Sequence, residues 1–109
     1  MNRLSSADPG LRQRFTALVQ IAKLLSPNAY VSSVKRSSQE QKKLYADWVA
    51  GRSKYPAAAP GTSKHERGRA LDIGGMSPAQ LAYLGRVWRS WGGRWGGNFT
   101  PKDVIHFEA

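Results

Sequence analysis

Three runs of apolar residues at helical spacing, each shut off by proline or glycine, constrain this chain more than any other feature. Leu11, Phe15, Leu18, Val19, Ala22 and Leu25 line one side of a helix that ends at Ser26-Pro27-Asn28. Asp8 followed by Pro9 predicts where it starts, as cap and first helical residue. Leu44, Tyr45, Trp48 and Val49 give a second inner face, with Ser37 or Ser38 as the cap and Glu40 or Gln41 completing a capping box. Gly51 suits its C-terminal end. Ser77-Pro78-Ala79-Gln80 opens a third helix, whose core side is Leu81, Leu84, Val87, Trp88 and Trp91 and whose stop is Gly92-Gly93. Only short extended stretches fit between the helices: 30–35, 69–73, one beginning at Trp95, and 104–107. Residues 52–68 read as a loop punctuated by Pro56, Pro60 and Gly61, and a loop this long in so small a chain is usually either functional or disordered. The expected fold is α+β, one domain over 1–109, with helices packed on a small, mainly antiparallel sheet.

There is no cysteine, so disulfides, thiolate metal sites and cysteine nucleophiles are all excluded. A transition metal would have to be held by nitrogen and oxygen. The N-terminal segment lacks the apolar run of a signal peptide, and the most apolar stretch, 17–25, is interrupted by Gln20 and Lys23. Synthesis in the cytoplasm without an export signal and no membrane insertion are therefore expected. A formal net charge of +10 calls for an anionic partner, either nucleic acid or an anionic surface such as a bacterial cell wall. Charge alone does not separate the two, and the spread of basic residues along the chain, rather than in one tract, slightly weakens the nucleic-acid reading.

Both histidines sit near carboxylates. His65 falls in Ser63-Lys64-His65-Glu66-Arg67-Gly68-Arg69-Ala70-Leu71-Asp72, and His106 closes Asp103-Val104-Ile105-His106. Two imidazoles and a carboxylate are the protein ligands of many catalytic zinc ions, and a further carboxylate can take a proton from water. Seven residues let the chain turn so that His65 and Asp72 meet, while Gly68 and Ala70 leave room for a close backbone approach. Asp103 and His106, three apart, would point to opposite faces of a flat strand, so the segment has to bend if both serve one site.

Plainer readings of the same residues stay open. Each histidine can be structural, Asp72 can form a turn at a strand end, and Asp103 can pair with Lys102 or Arg94. His65-Glu66 does not begin a His-Glu-x-x-His helix, because position 69 is arginine and Gly68 disfavours helix; Glu66 reads as a solvated loop residue. Ser63 lacks the context of a nucleophilic serine.

The pattern Ser63-x-His65-x-x-Gly68-x-Ala70-x-Asp72, followed by Asp103-x-x-His106-Phe107-Glu108, resembles the zinc peptidases of the D-alanyl-D-alanine carboxypeptidase and phage L-alanyl-D-glutamate peptidase family. Lys35-Arg36-Ser37-Ser38-Gln39-Glu40-Gln41 with Leu44-Tyr45 is similar to that family's Arg-Ser-x-x-x-Gln-x-x-Leu-Tyr segment. The resemblance implies the hedgehog/DD-peptidase-like fold and one zinc ion on His65, Asp72 and His106. It also implies Asp103 as catalytic base, Arg36 as substrate or oxyanion contact, and Ser63 and Gln41 at the substrate. Tyr55, in the 52–62 loop, is a further candidate wall of the substrate groove. Carboxypeptidases of the family usually carry glutamate at the base position, whereas the phage endopeptidases tolerate aspartate.

The expected function is zinc-dependent hydrolysis of a peptidoglycan stem-peptide bond, with an L-alanyl-D-glutamate endopeptidase of endolysin type in front of a D-alanyl-D-alanine carboxypeptidase. The expected partners are the stem peptide and the anionic wall surface, without a stable nucleic-acid partner. The protein is expected to be monomeric and to reach the wall by a phage-type release. A basic nucleic-acid-binding module with structural histidines is the alternative of another class; it predicts affinity that falls steeply with salt and is indifferent to zinc.

Overall fold

A computed structural model describes residues 3–34, 37–54, 56–59, 61 and 64–109. In chain order the main elements are α1 (Arg12–Leu25), β1 (Tyr30–Ser33), α2 (Ser38–Val49), β2 (Ala70–Gly74), α3 (Pro78–Ser90), β3 (Arg94–Trp95) and β4 (His106–Glu108). Three short 3-10 helices, Arg3–Ser6, Lys64–Arg67 and Gly96–Asn98, fill the connections. The strands form one antiparallel sheet in the order β1-β2-β4-β3, as expected for the α+β class.

Sheet register sorts the side chains. Leu71 pairs with Phe107 and Asp72 with His106, so neighbouring positions on β2 and β4 face opposite sides. Leu71, Ile73 and Phe107 join the core with Phe15, Leu18 and Ala22 of α1 and Leu81, Leu84 and Trp88 of α3. Phe15 stacks on Trp88 at 5.4 Å between ring centroids. The indole N–H of Trp88 donates to the Glu108 carbonyl at 2.8 Å, which ties α3 to the far end of β4. Asp72, His106 and Glu108 occupy the opposite side of the sheet.

Two helix starts follow the sequence. Ser37 caps α2 in a capping box with Glu40, and Ser77 caps α3 in a second box with Gln80 behind Pro78. The first helix does not begin at Pro9. Asp8 Oδ1 accepts from the Gly10 N–H at 2.9 Å and Asp8 Oδ2 from Arg69 at 2.8 Å, so its carboxylate serves a turn and an ion pair. The helix is entered later, from Leu11, without a side-chain cap.

The second helix departs further from expectation. Leu44 is 37% and Val49 64% exposed, Tyr45 and Trp48 are half-buried, and Gln41 is its one fully buried side chain among those described. Its apolar side does not enter the core; Leu44 and Trp48 instead line a cavity whose floor carries Asp72 and His106. The last strand is also shorter than 104–107, because Val104 and Ile105 lie in a turn closed by His106 N–H on Asp103 O at 3.1 Å.

Trp88 is the largest fully buried side chain. Trp88→Ala should therefore lower unfolding free energy by about 3–5 kcal/mol, through lost burial, a cavity and an unpaired Glu108 carbonyl. Denaturant titration followed by circular dichroism measures it; a loss below about 1 kcal/mol would show that α3 is not clamped to the sheet in this way.

Candidate metal centre

The site is built on the pairing of β2 with β4. Asp72 and His106 are direct cross-strand partners, which brings their side chains together on one face. His65 arrives from the 3-10 turn that precedes β2. Gly68, at φ +69°, turns the chain from that helix into the strand, and a Cβ there would lie 2.8 Å from Ser6 O and 2.9 Å from Asp8 N. The bend demanded of the Asp103–His106 segment is present. Asp103 N–H donates to Gly96 O at 2.8 Å, and a Cβ on Gly96 would sit 2.0 Å from Asp103 O, so only glycine lets the two segments approach.

Three ligand atoms converge: His65 Nε2 to Asp72 Oδ1 is 3.1 Å, His106 Nδ1 to Asp72 Oδ1 is 3.2 Å, and His65 Nε2 to His106 Nδ1 is 3.1 Å. All three residues are buried. The far nitrogens fix the tautomers. His65 Nδ1 lies 2.7 Å from the Val34 carbonyl and His106 Nε2 lies 2.8 Å from Glu108 Oε1, and each acceptor requires an N–H opposite it. Neutral imidazoles so arranged turn two bare nitrogen lone pairs and a carboxylate oxygen toward one point. Such a trio repels itself unless a cation or a proton lies among them. Edges of a tetrahedron around zinc, with ligands at about 2.0–2.2 Å, would be about 3.3–3.6 Å, close to the spacing found. The donor set fits a zinc ion.

Electrostatics agree. Burial works against ionisation of Asp72, but hydrogen bonds with His106 and His65 hold its carboxyl far below the usual carboxylate range. Burial would also lower His106, yet hydrogen bonds to Asp72 and Glu108 and the nearby charge of Asp103 push it up to about 9. Glu108 is raised by burial and brought below the usual range by the His106 hydrogen bond and the charges of Lys64 and Arg94.

A cavity of about 550 Å³ opens over the centre. Gln41, Leu44 and Trp48 of α2 and Ser53, Pro56, Ala57 and Ala58 of the following loop form one wall, so the loop does border the groove. Phe99, Thr100, Pro101, Asp103 and Ile105 form the other. Gln41 lines this space, and its amide donates to Ala58 O at 2.7 Å, which holds the loop against α2. Arg36, Tyr55 and Ser63 lie outside the described residues. Glu66 is half-buried rather than solvated, its carboxylate accepting from the Gly61 N–H at 2.9 and 3.0 Å. Arg94 lies 3.4 Å from Glu108 Oε2 and Lys64 3.7 Å, contacts that sequence reasoning missed. The period-two alternation of a strand was the available signal, since it places Glu108 on the His106 face.

The sequence profile of VanY, D-alanyl-D-alanine carboxypeptidase, matches residues 5–91. The chain belongs to the VanY family. The match ends before Asp103 and His106, which the fold brings to the cavity that His65 and Asp72 also line. No curated protein matches the sequence. Among solved structures, the Serratia marcescens L-Ala D-Glu endopeptidase ChiX is 28% identical, over 97% of this chain and 82% of that one, with a TM-score of 0.62. A vancomycin resistance D,D-pentapeptidase VanY variant in complex with Zn(II) is 19% identical over 94% and 71%, with a TM-score of 0.70. DacB from Streptococcus pneumoniae D39 is 21% identical over 94% and 66%, with a TM-score of 0.67. As a VanY-family protein the chain is a zinc-dependent metallopeptidase acting on peptidoglycan, and its buried His-Asp-His group has a donor set that fits such an ion.

The raised pKa of His106 gives a signed expectation for the metal-free protein. Its contribution to stability is fully present below pH 6.5, the ordinary histidine value, and is lost as pH rises through about 9. Asp72, shifted down, contributes above its ordinary value of 3.8 and is lost only in acid. Thermal unfolding in chelator should show a midpoint that falls between pH 6.5 and 9. A flat profile over that window would remove the proton from the centre.

Proposed function

We propose that the chain is a zinc endopeptidase that hydrolyses the L-alanyl-D-glutamate bond of the peptidoglycan stem peptide. The convergence of two bare imidazole nitrogens and the Asp72 carboxylate beneath an open cavity carries the reading. His65, Asp72 and His106 are the ligands in this proposal. A zinc ion held there would lower the pKa of a bound water to about 7 and polarise the scissile carbonyl.

The remaining work falls to the chain's own groups. Asp103 borders the cavity on the turn leading into His106, close enough for its charge to act on that ring. It is the general base: it accepts the proton of the attacking water and returns it to the departing amine. Leu44 and Trp48 on one wall and Phe99 and Ile105 on the other hold the peptide backbone and exclude bulk water. Gln41 positions the loop that meets the substrate. Arg36 is assigned to the oxyanion or a substrate carboxylate and Ser63 to the groove on the family pattern alone, and Tyr55 to the groove on its place in the 52–62 loop.

Two observations favour the endopeptidase. ChiX bears that activity in its name, and the base position holds aspartate, which the phage endopeptidases tolerate. The description of the matching family favours removal of a terminal D-alanine instead. In either case the protein would act at the wall, and its charge of +10 suits an anionic wall surface.

Digestion of purified peptidoglycan separates the two, with mass spectrometry of the new termini. New N-terminal D-glutamate supports the endopeptidase; release of D-alanine alone replaces it with the carboxypeptidase. Asp103→Asn should keep zinc while slowing the chemical step by about 100-fold to 10,000-fold, the range of a positioned general base. His65→Ala should lose zinc and activity together. Activity undiminished in metal-free protein would sink the mechanism.

A further inference from the structure

Glu108 is a buried carboxylate set against the His-Asp-His group without belonging to it. It is 7% exposed, on the same face of β4 as His106, and its Oε1 accepts from His106 Nε2–H at 2.8 Å. That nitrogen is the one turned away from Asp72 and His65, so Glu108 Oε1 meets the ring on the side opposite the cluster. Its other oxygen, Oε2, lies 3.4 Å from Arg94 Nη1 and 3.7 Å from Lys64 Nζ. Its backbone is fixed too, by Trp88 on its carbonyl at 2.8 Å and by pairing with Ala70 and Arg94 across the sheet.

We infer that Glu108 is a positioning residue for the metal, fixing the tautomer and the plane of the His106 ring; this rests on the zinc reading of the centre. An imidazole exchanges its proton freely between two nitrogens. Here the carboxylate binds the N–H of Nε2, which keeps the Nδ1 lone pair bare and aimed between Asp72 and His65. A hydrogen bond to a carboxylate also makes the ring a better electron donor. A buried carboxylate facing one histidine would be costly, and Arg94 and Lys64 offset that cost while leaving Oε1 to the ring. The arrangement on His65 is softer, with the neutral Val34 carbonyl in the same role. The two imidazole ligands are thus unequal: one is backed by a charge and one by a dipole.

The test is zinc affinity, read by competition with a chromogenic chelator on purified, folded protein. Glu108→Gln keeps the size and can still accept through its amide oxygen, but it lacks charge and can rotate to offer N–H instead. It should weaken zinc binding about tenfold. Glu108→Ala removes the acceptor and should weaken it about 100-fold, the two spanning the range usual for such supporting groups. A merely structural Glu108 would lower the unfolding temperature of the metal-free variants and leave the zinc affinity of folded protein unchanged. If the wild-type chain binds zinc and the Glu108→Gln variant binds it within about twofold, the inference is overturned while the zinc reading stands. If wild-type protein binds no zinc, the zinc reading itself has failed. Should Glu108→Ala not fold, Glu108→Gln decides alone.

Discussion

The pairing of β2 with β4 supports both the core and the chemistry, and the rest of the molecule is arranged around it. Each strand offers alternate residues to opposite faces, so one register of hydrogen bonds makes two assignments at once. Leu71 and Phe107 go to the helices, while Asp72 and His106 go to the cavity. A slip of one residue would bury the charged pair among Phe15, Leu84 and Trp88 and expose Phe107. The penalty for that error is large in both directions. The apolar face thereby enforces the geometry of the polar one, and His65 and Asp103 need only be brought to a platform already fixed.

Much of this was legible in the residues. The capping boxes at Ser37 and Ser77 mark true helix starts because their hydrogen bonds are local and owe nothing to tertiary contacts. The spacing of His65, Asp72, Asp103 and His106 pointed to a common site, and the fold gathers all four around one cavity. What failed were inferences in which local chemistry is overridden at a distance. Asp8 has the composition of a helix cap, but Arg69, far along the chain, engages its carboxylate. Leu44, Trp48 and Val49 have the period of a core face, and period cannot distinguish a core from the wall of a groove. The contact of Glu108 with His106 had only strand alternation to signal it, and nothing in the linear sequence reveals the cations around it.

The groove explains why α2 carries apolar residues that stay accessible. A peptide substrate of a polymeric wall has to be held along its backbone, and a surface that is dry on both sides strengthens each polar contact made inside it. In the proposed function Leu44 and Trp48 would serve that end, at the cost of some exposed hydrophobic area. Gln41, fully buried beneath them, links the helix to the loop through Ala58, so wall and loop stay in register.

His65 and His106 stand 41 positions apart, and they belong to a chain that has no cysteine. An ion gripping both would close a loop of that length, as a covalent staple does in extracellular domains. For a disulfide of comparable span, chain entropy alone is worth about 4 kcal/mol. Such a crosslink needs no oxidant to form and is not opened by thiol–disulfide exchange. A small protein stapled this way would keep its clamp whatever the redox state around it, and would lose it to a competing ligand or to acid.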